Sequence, residues 1–461
     1  MEALSSIFYF LLVIGIIVVI HELGHFLAAR ISGMRAEIFS AGFTFNPERM
    51  RLFGWNKVIG FTFGNLPKSI ELGDHCDYRV SVLPIGGFVK IAGMVDESLD
   101  EKFISSEPKP WEFRSKNNFK KALVLSAGVI MNFLLAIVIF SVLTFIQGKS
   151  VYDTTTIGYV ENASIAKDFG FIAGDRIISI GEKKVNDWDE MIRSFAFDDM
   201  GQKKTIVINR NGQNVNIEVD GKQILNAIEN KKSLGLQPDN IKAYLLAVET
   251  IKPAGKAGLK PGDTMVAVNG MPIDGGYEQF SKTLKHHKNQ KIELTWNRNG
   301  RIMSDSLITN ESGMIGVQIS NEYTGLVKHI NFGIGEAIVY GVNETVGTST
   351  LLLTSIYQIF AGNLSFKQSF GGPIMIAQKA SEQAKIGFAY LLQFMALLSI
   401  SLGIINILPL PALDGGHLVF ILIETVIRRE VPVKVKMAFQ QAGMMLLLLL
   451  MALVFYFDIV R

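Results

Sequence analysis

His21, Glu22 and His25 form a His-Glu-x-x-His pattern inside a long apolar run near the start of this 461-residue chain. On a helix, residues four apart share a face about one turn apart, so the two imidazoles reach one tetrahedral metal ion. Glu22 follows the first imidazole and is placed to act as general base on a water activated by that metal. The same pattern arises harmlessly in soluble helices. Inside an apolar span, however, three ionisable groups cost on the order of 2–3 kcal/mol each unless something satisfies them. Zinc satisfies them. The single cysteine, Cys76, excludes both an internal disulfide and a cysteine-rich zinc site, leaving the metal to histidine and carboxylate.

A catalytic zinc site needs a third protein ligand, and the candidate is Asp414, at the end of the stretch that starts at Asn406 and contains Pro409 and Pro411. The prolines are expected to break a helix end, and Gly415 and Gly416 to let the backbone turn sharply, swinging Asp414 towards a neighbouring helix. Alone, the Asp reads more readily as an Asp-Gly turn at a membrane surface. Paired with the histidines, it reads as a ligand. Asn406 is expected to be buried, with an amide that holds an unwound substrate strand or the oxyanion; the alternative is a helix–helix hydrogen bond. His417 exceeds the ligand count. Gly128 and Asn132 form a small-x-x-x-polar pattern that favours close helix packing, with a role for Asn132 near the substrate as the alternative.

These residues need elements to position them. Mean hydropathy is +0.29, yet 19% of residues are charged, a mixture that implies a few membrane helices and a sizeable soluble part. The net charge of +3 is too small to point to nucleic acid. Four apolar runs approach the roughly 20 residues that cross a bilayer: 4–29, 122–146, 387–410 and 442–457. The first is read as a retained helix, because Glu2 replaces a basic leader and no small-residue cleavage site follows. The run 418–427 is too short to span and is expected to lie re-entrant or interfacial. Arg30, Arg35, Arg49, Arg51, Lys116, Lys120 and Lys121 in one loop, and Arg428, Arg429, Lys434 and Lys436 in another, place both loops in the cytoplasm. Both termini and residues 148–386 then face outward. Spans one and three run in the same direction, so the histidines and Asp414 reach one depth on the cytoplasmic side.

The outward stretch carries an internal repeat with a period of about 88 residues. Gly170, Gly174 and Asp175 recur as Gly258, Gly262 and Asp263, each set followed by an alternating strand, a helical stretch and a hairpin turning on Asn211-Gly212 or Asn299-Gly300. The order resembles bacterial PDZ domains, which bind extended peptides by strand addition. The alternative is a pair of β-rich spacers without a ligand. In the cytoplasmic loop, Gly42-Phe43-Thr44-Phe45 and Gly60-Phe61-Thr62-Phe63 read as strands flanking a polar turn over 47–56. A sheet there would present an edge to an extended substrate, with Phe43 and Phe61 beside it.

Taken together, the His-Glu-x-x-His run, Leu413-Asp414-Gly415, the doubled repeat and the segment 83–90 resemble the site-2 protease family of intramembrane metalloproteases, over essentially the whole chain. The resemblance implies zinc held by His21, His25 and Asp414, with Glu22 as general base. It implies a single-pass substrate already trimmed by a site-1 protease, either an anti-sigma factor whose cleavage activates an extracytoplasmic stress response or a remnant signal peptide. It also implies a multi-pass protein of the bacterial inner membrane. The expected fold is a polytopic α-helical membrane protein with four transmembrane helices, a membrane-associated β-region and two tandem PDZ-like domains. The expected parts are 1–147, 148–235, 236–325, an amphipathic linker 326–386, and 387–461. A zinc transporter and a non-proteolytic PDZ scaffold are the competing readings.

Overall fold

The computed structural model describes residues 2–43, 50–55, 58–63, 76–80, 83–94, 107–230, 232–364 and 371–460. Two compact units emerge: one of residues 1–147, 331–356 and 366–461, the other of 148–330 and 357–365. Four helices are long and apolar enough to cross a membrane, and they coincide with the four apolar runs.

In the first unit, helix α1 (Glu2–Ile31) ends where Gly33 adopts φ +70°, a left-handed position that suits glycine. A five-stranded sheet follows: β1 (Ala36–Phe43), β2 (Met50–Trp55), β3 (Val58–Phe63), β4 (Asp77–Val80) and β5 (Leu83–Ile91), in the order β3-β2-β4-β1-β5. This departs from the expected turn, because β2 falls inside segment 47–56 and pairs with β3. Among the described residues the two Gly-Phe-Thr-Phe fragments are therefore not paired with each other. Phe43 ends β1 opposite Leu83 of β5, and Phe61 lies in β3 at the far edge. The side chains of both phenylalanines lie outside the described residues. Helix α2 (Asn118–Gln147) crosses α1 closely: a Cβ on Gly24 would fall 2.4 Å from the Ala127 carbonyl oxygen.

The second unit contains helices α3 (Ile165–Asp168), α4 (Trp188–Ala196), α5 (Gly221–Glu229), α6 (Pro253–Lys256) and α7 (Gly276–His286) among short strands. Its two halves repeat one device. Asp175 is fully buried, accepts from Ile172 N at 2.9 Å and takes Arg210 Nε at 2.7 Å, while Arg210 Nη2 also donates to Gly170 O at 2.8 Å. Asp263 is buried likewise, accepting from Lys260 N at 2.7 Å and Arg298 Nε at 2.6 Å, and Arg298 Nη2 reaches Gly258 O at 2.7 Å. The Gly-x-x-x-Gly-Asp repeat is thus a turn tied to the far hairpin by a carboxylate–guanidinium fork. Phe171, Met191 and Phe195 fill the first core, and Met265, Phe280 and Trp296 the second.

Helices α8 (Ile334–Phe360) and α9 (Pro373–Ile386) fall within residues 326–386. The N-terminus of α9 has no cap of its own. Asp458 accepts from Gly372 N and Ile374 N at 3.0 Å each, and so caps it from another helix. Helix α10 (Phe388–Ile407) packs on α1 and α2 through Val13, Ile17, Ala136, Met395, Ile400 and Ile404. Helix α11 (Asp414–Ile427) contains the short run 418–427, and α12 (Val433–Val460) completes the chain.

Candidate active site

Helix α1 sets His21 and His25 one turn apart, both buried. Helix α10 stops at Ile407, and Asp414 opens α11. The sharp turn falls on Ala412, at φ +68°, a conformation that costs a non-glycine residue about 1–2 kcal/mol. Gly415 and Gly416 do not make the turn, contrary to expectation. They are helical, and a Cβ on Gly415 would lie 2.1 Å from Leu408 O, so the glycines serve close approach. The turn also rests on α12, where a Cβ on Gly443 would fall 2.0 Å from Pro411 Cβ.

This folding brings three ligating atoms together from opposite ends of the chain. His21 Nε2 lies 3.1 Å from His25 Nε2 and 3.1 Å from Asp414 Oδ2, and His25 Nε2 lies 3.4 Å from the same oxygen. Tetrahedral zinc with bonds of about 2.0–2.1 Å has ligand atoms about 3.3 Å apart, so the triangle has the size zinc needs. His25 Nδ1 is 2.8 Å from Val124 O. A carbonyl only accepts, so Nδ1 carries the proton and Nε2 presents its lone pair to the centre. Asp414 Oδ2 is buried without a hydrogen-bond donor. A lone pair and an orphaned carboxylate oxygen converging on one point call for a cation, and among the described residues these three side chains form the metal-capable group.

Glu22 reaches strand β5, where its Oε2 accepts from Val89 N at 3.0 Å. Strand β5 is at the edge of its sheet. Asn406 is half-buried rather than buried, with Nδ2 3.4 Å from His21 Nε2, at the lip of the ligand triangle. Two residues of α2, read from the sequence as a packing pattern with a role for Asn132 near the substrate as the alternative, lie against the histidines. Gly128 abuts both imidazoles, since a Cβ there would sit 2.5 Å from His25 Nε2 and 2.6 Å from His21 Cε1. Asn132 is fully buried, and its amide Nδ2 is 3.2 Å from His21 Nδ1. The signal was the small-x-x-x-polar spacing itself, which implied a close neighbour without saying which.

A family model for peptidase family M50 matches residues 9–57 and 49–450. The chain belongs to peptidase family M50, the zinc metalloproteases of the site-2 type. It is similar to Protease RseP of Yersinia pestis, 30% identical with all of both chains covered. It is also similar to regulator of sigma-E protease RseP of Escherichia coli, 29% identical over 98% of each chain. A Neisseria meningitidis relative named as a zinc metalloprotease is 30% identical over 99% of each. Among solved structures, the PDZ domain of an SdrC-like protein from Listeria monocytogenes aligns with 17% of this chain and 85% of its own, at 14% identity and a TM-score of 0.16, too slight a likeness to assign a fold.

Proposed function

We propose that the chain performs regulated intramembrane proteolysis, making the second cut in a single-pass membrane protein already trimmed by a site-1 protease. The convergence of His21 Nε2, His25 Nε2 and Asp414 Oδ2 one residue from the Glu22 carboxylate carries this reading. In it, the three converging residues hold zinc, whose chemistry is to lower the pKa of water towards neutrality and to polarise the scissile carbonyl. Glu22 takes the proton from the attacking water and returns it to the departing amide nitrogen. The Val89 N–H orients the Glu22 carboxylate for both transfers. The Asn406 amide holds the substrate strand or the oxyanion.

Peptide bonds in a helix are shielded, so the substrate has to be drawn out as a strand. Strand β5, an edge strand of its sheet beside Glu22, is the place for it by strand addition. The Phe43 and Phe61 fragments are the other candidate for the substrate edge, Phe61 lying in the opposite edge strand β3. An anti-sigma factor is the substrate class supported by relatives named for sigma-E regulation, and remnant signal peptides are a second class. The chain resides in the bacterial inner membrane, with both termini and two PDZ-like domains (148–235 and 236–325) in the periplasm and the catalytic groups towards the cytoplasm. There the PDZ-like pair excludes bulky, untrimmed substrates.

The experiment is cleavage of a trimmed single-pass anti-sigma substrate by purified protein beside Glu22→Gln, with zinc content measured in both. Removal of a general base is expected to slow cleavage at least 10²–10⁴-fold while zinc is retained. Undiminished cleavage by Glu22→Gln would sink the mechanism.

A further inference from the structure

Helix α2 presents three positions, two turns in all, along the back of the histidines: Val124, Gly128 and Asn132. Each meets an imidazole. The Val124 carbonyl fixes His25 through Nδ1 at 2.8 Å, Gly128 gives both rings room, and the Asn132 amide faces His21 Nδ1 at 3.2 Å. The two histidines are therefore held in the same way, each by a group on α2 behind the nitrogen that points away from Asp414.

We infer that Asn132 is a positioning residue for the metal centre, its side-chain oxygen accepting a hydrogen bond from His21 Nδ1–H. The inference rests on His21 being a ligand. When Nε2 of a neutral imidazole faces a metal, Nδ1 carries the proton and needs an acceptor behind it. The oxygen and nitrogen of an amide are interchanged by a half-turn about the last side-chain bond. Asn132 Oδ1 is buried and has no partner. The half-turn gives that oxygen the Nδ1 proton and removes the opposition of two donors. Its main chain is also fixed, because Ser399 Oγ of α10 donates to Asn132 O at 2.9 Å. Asn132 thus sits where α1, α2 and α10 meet. A purely packing role would need only its branched shape, which leucine approximates; positioning needs its acceptor, which aspartate keeps.

The test is zinc affinity of the full-length protein in detergent, measured by chelator competition at fixed pH, for wild type, Asn132→Leu, Asn132→Ala and Asn132→Asp. Helix content and monodispersity are checked for each. Loss of an outer partner of a ligating histidine typically weakens metal binding about 10–100-fold. That loss is expected for Asn132→Leu and Asn132→Ala, while Asn132→Asp stays within about threefold of wild type. The visible spectrum of the cobalt-substituted protein should change in the same two variants and not in Asn132→Asp. Wild-type affinity in Asn132→Leu, or equal weakening in Asn132→Asp and Asn132→Leu, overturns the inference. His21→Ala separates this from the underlying assignment: unchanged zinc affinity there removes His21 as a ligand, whatever Asn132 does.

Discussion

Gly128 is where the metal site has least slack. A methyl group there would overlap both imidazoles, at 2.5 and 2.6 Å, and both rings are buried. Gly128→Ala is therefore expected to weaken zinc binding at least about tenfold and to cost about 1–3 kcal/mol of stability, read by chelator competition and denaturant unfolding. Cys76 offers a contrasting case. Burial, reinforced by the adjacent Asp77 charge, pushes its thiol up to about 12. Its neutral form is the one the fold favours, so its contribution is complete below the ordinary thiol pKa and is lost as pH rises towards 12. Native protein at pH 8 should resist maleimide, and unfolding should expose the thiol. The legibility of the site follows from the same physics. His21, Glu22 and His25 are readable because helical spacing is local. Asp414 becomes readable only by pairing it with them. The Val124 carbonyl and Val89 amide are invisible in sequence, since every residue carries those groups.

At the level of elements, the position of Asp414 depends on a helix it does not belong to. Gly443 lets α12 touch Pro411, and bulk at that point must displace the loop that ends in Asp414. Gly443→Val is expected to lower zinc affinity, while Met445→Ala, on the exposed side of the same helix, leaves it unchanged. The paired turns of the second unit make a different demand. Arg298→Met would strand the buried Asp263 carboxylate and cost about 3 kcal/mol, the low end for a broken buried pair because Arg298 is partly exposed. Faster hydrogen exchange in the turn over 258–263 would register it. The repeat was visible as Gly-x-x-x-Gly-Asp, but the arginine partner lies 35 positions on and carries no mark of the pairing. The β-region was misread for a related reason. Identical Gly-Phe-Thr-Phe fragments look like hairpin partners, whereas strand pairing is set by register and neighbours, and β1 takes β4 and β5 instead.

For the whole molecule, the four apolar helices coincide with runs that hydropathy alone picks out, because a bilayer-length apolar segment is a long, redundant signal. Their orientation rests on basic residues, and the shielded Cys76 makes the natural chain a suitable background for testing it. In intact cells with a permeabilised outer membrane, an impermeant maleimide should label Asn211→Cys and spare Arg429→Cys until the inner membrane is opened. The reverse pattern would invert the topology. A second whole-chain link is Asp458, which caps α9 from near the far end of the sequence. Asp458→Ala should cost about 1 kcal/mol and loosen α9 first, seen as early amide exchange at Gly372 to Met375.

The metal triangle draws two corners from the first helix and the third from beyond the second unit. During synthesis, His21 and His25 leave the ribosome early, and Asp414 only after every residue of the second unit has been made. A nascent chain therefore carries two of the three metal-capable side chains through most of its own translation. Completion of the site late in the chain sets an order of events: the third corner of the triangle arrives only once every residue of the second unit has been made.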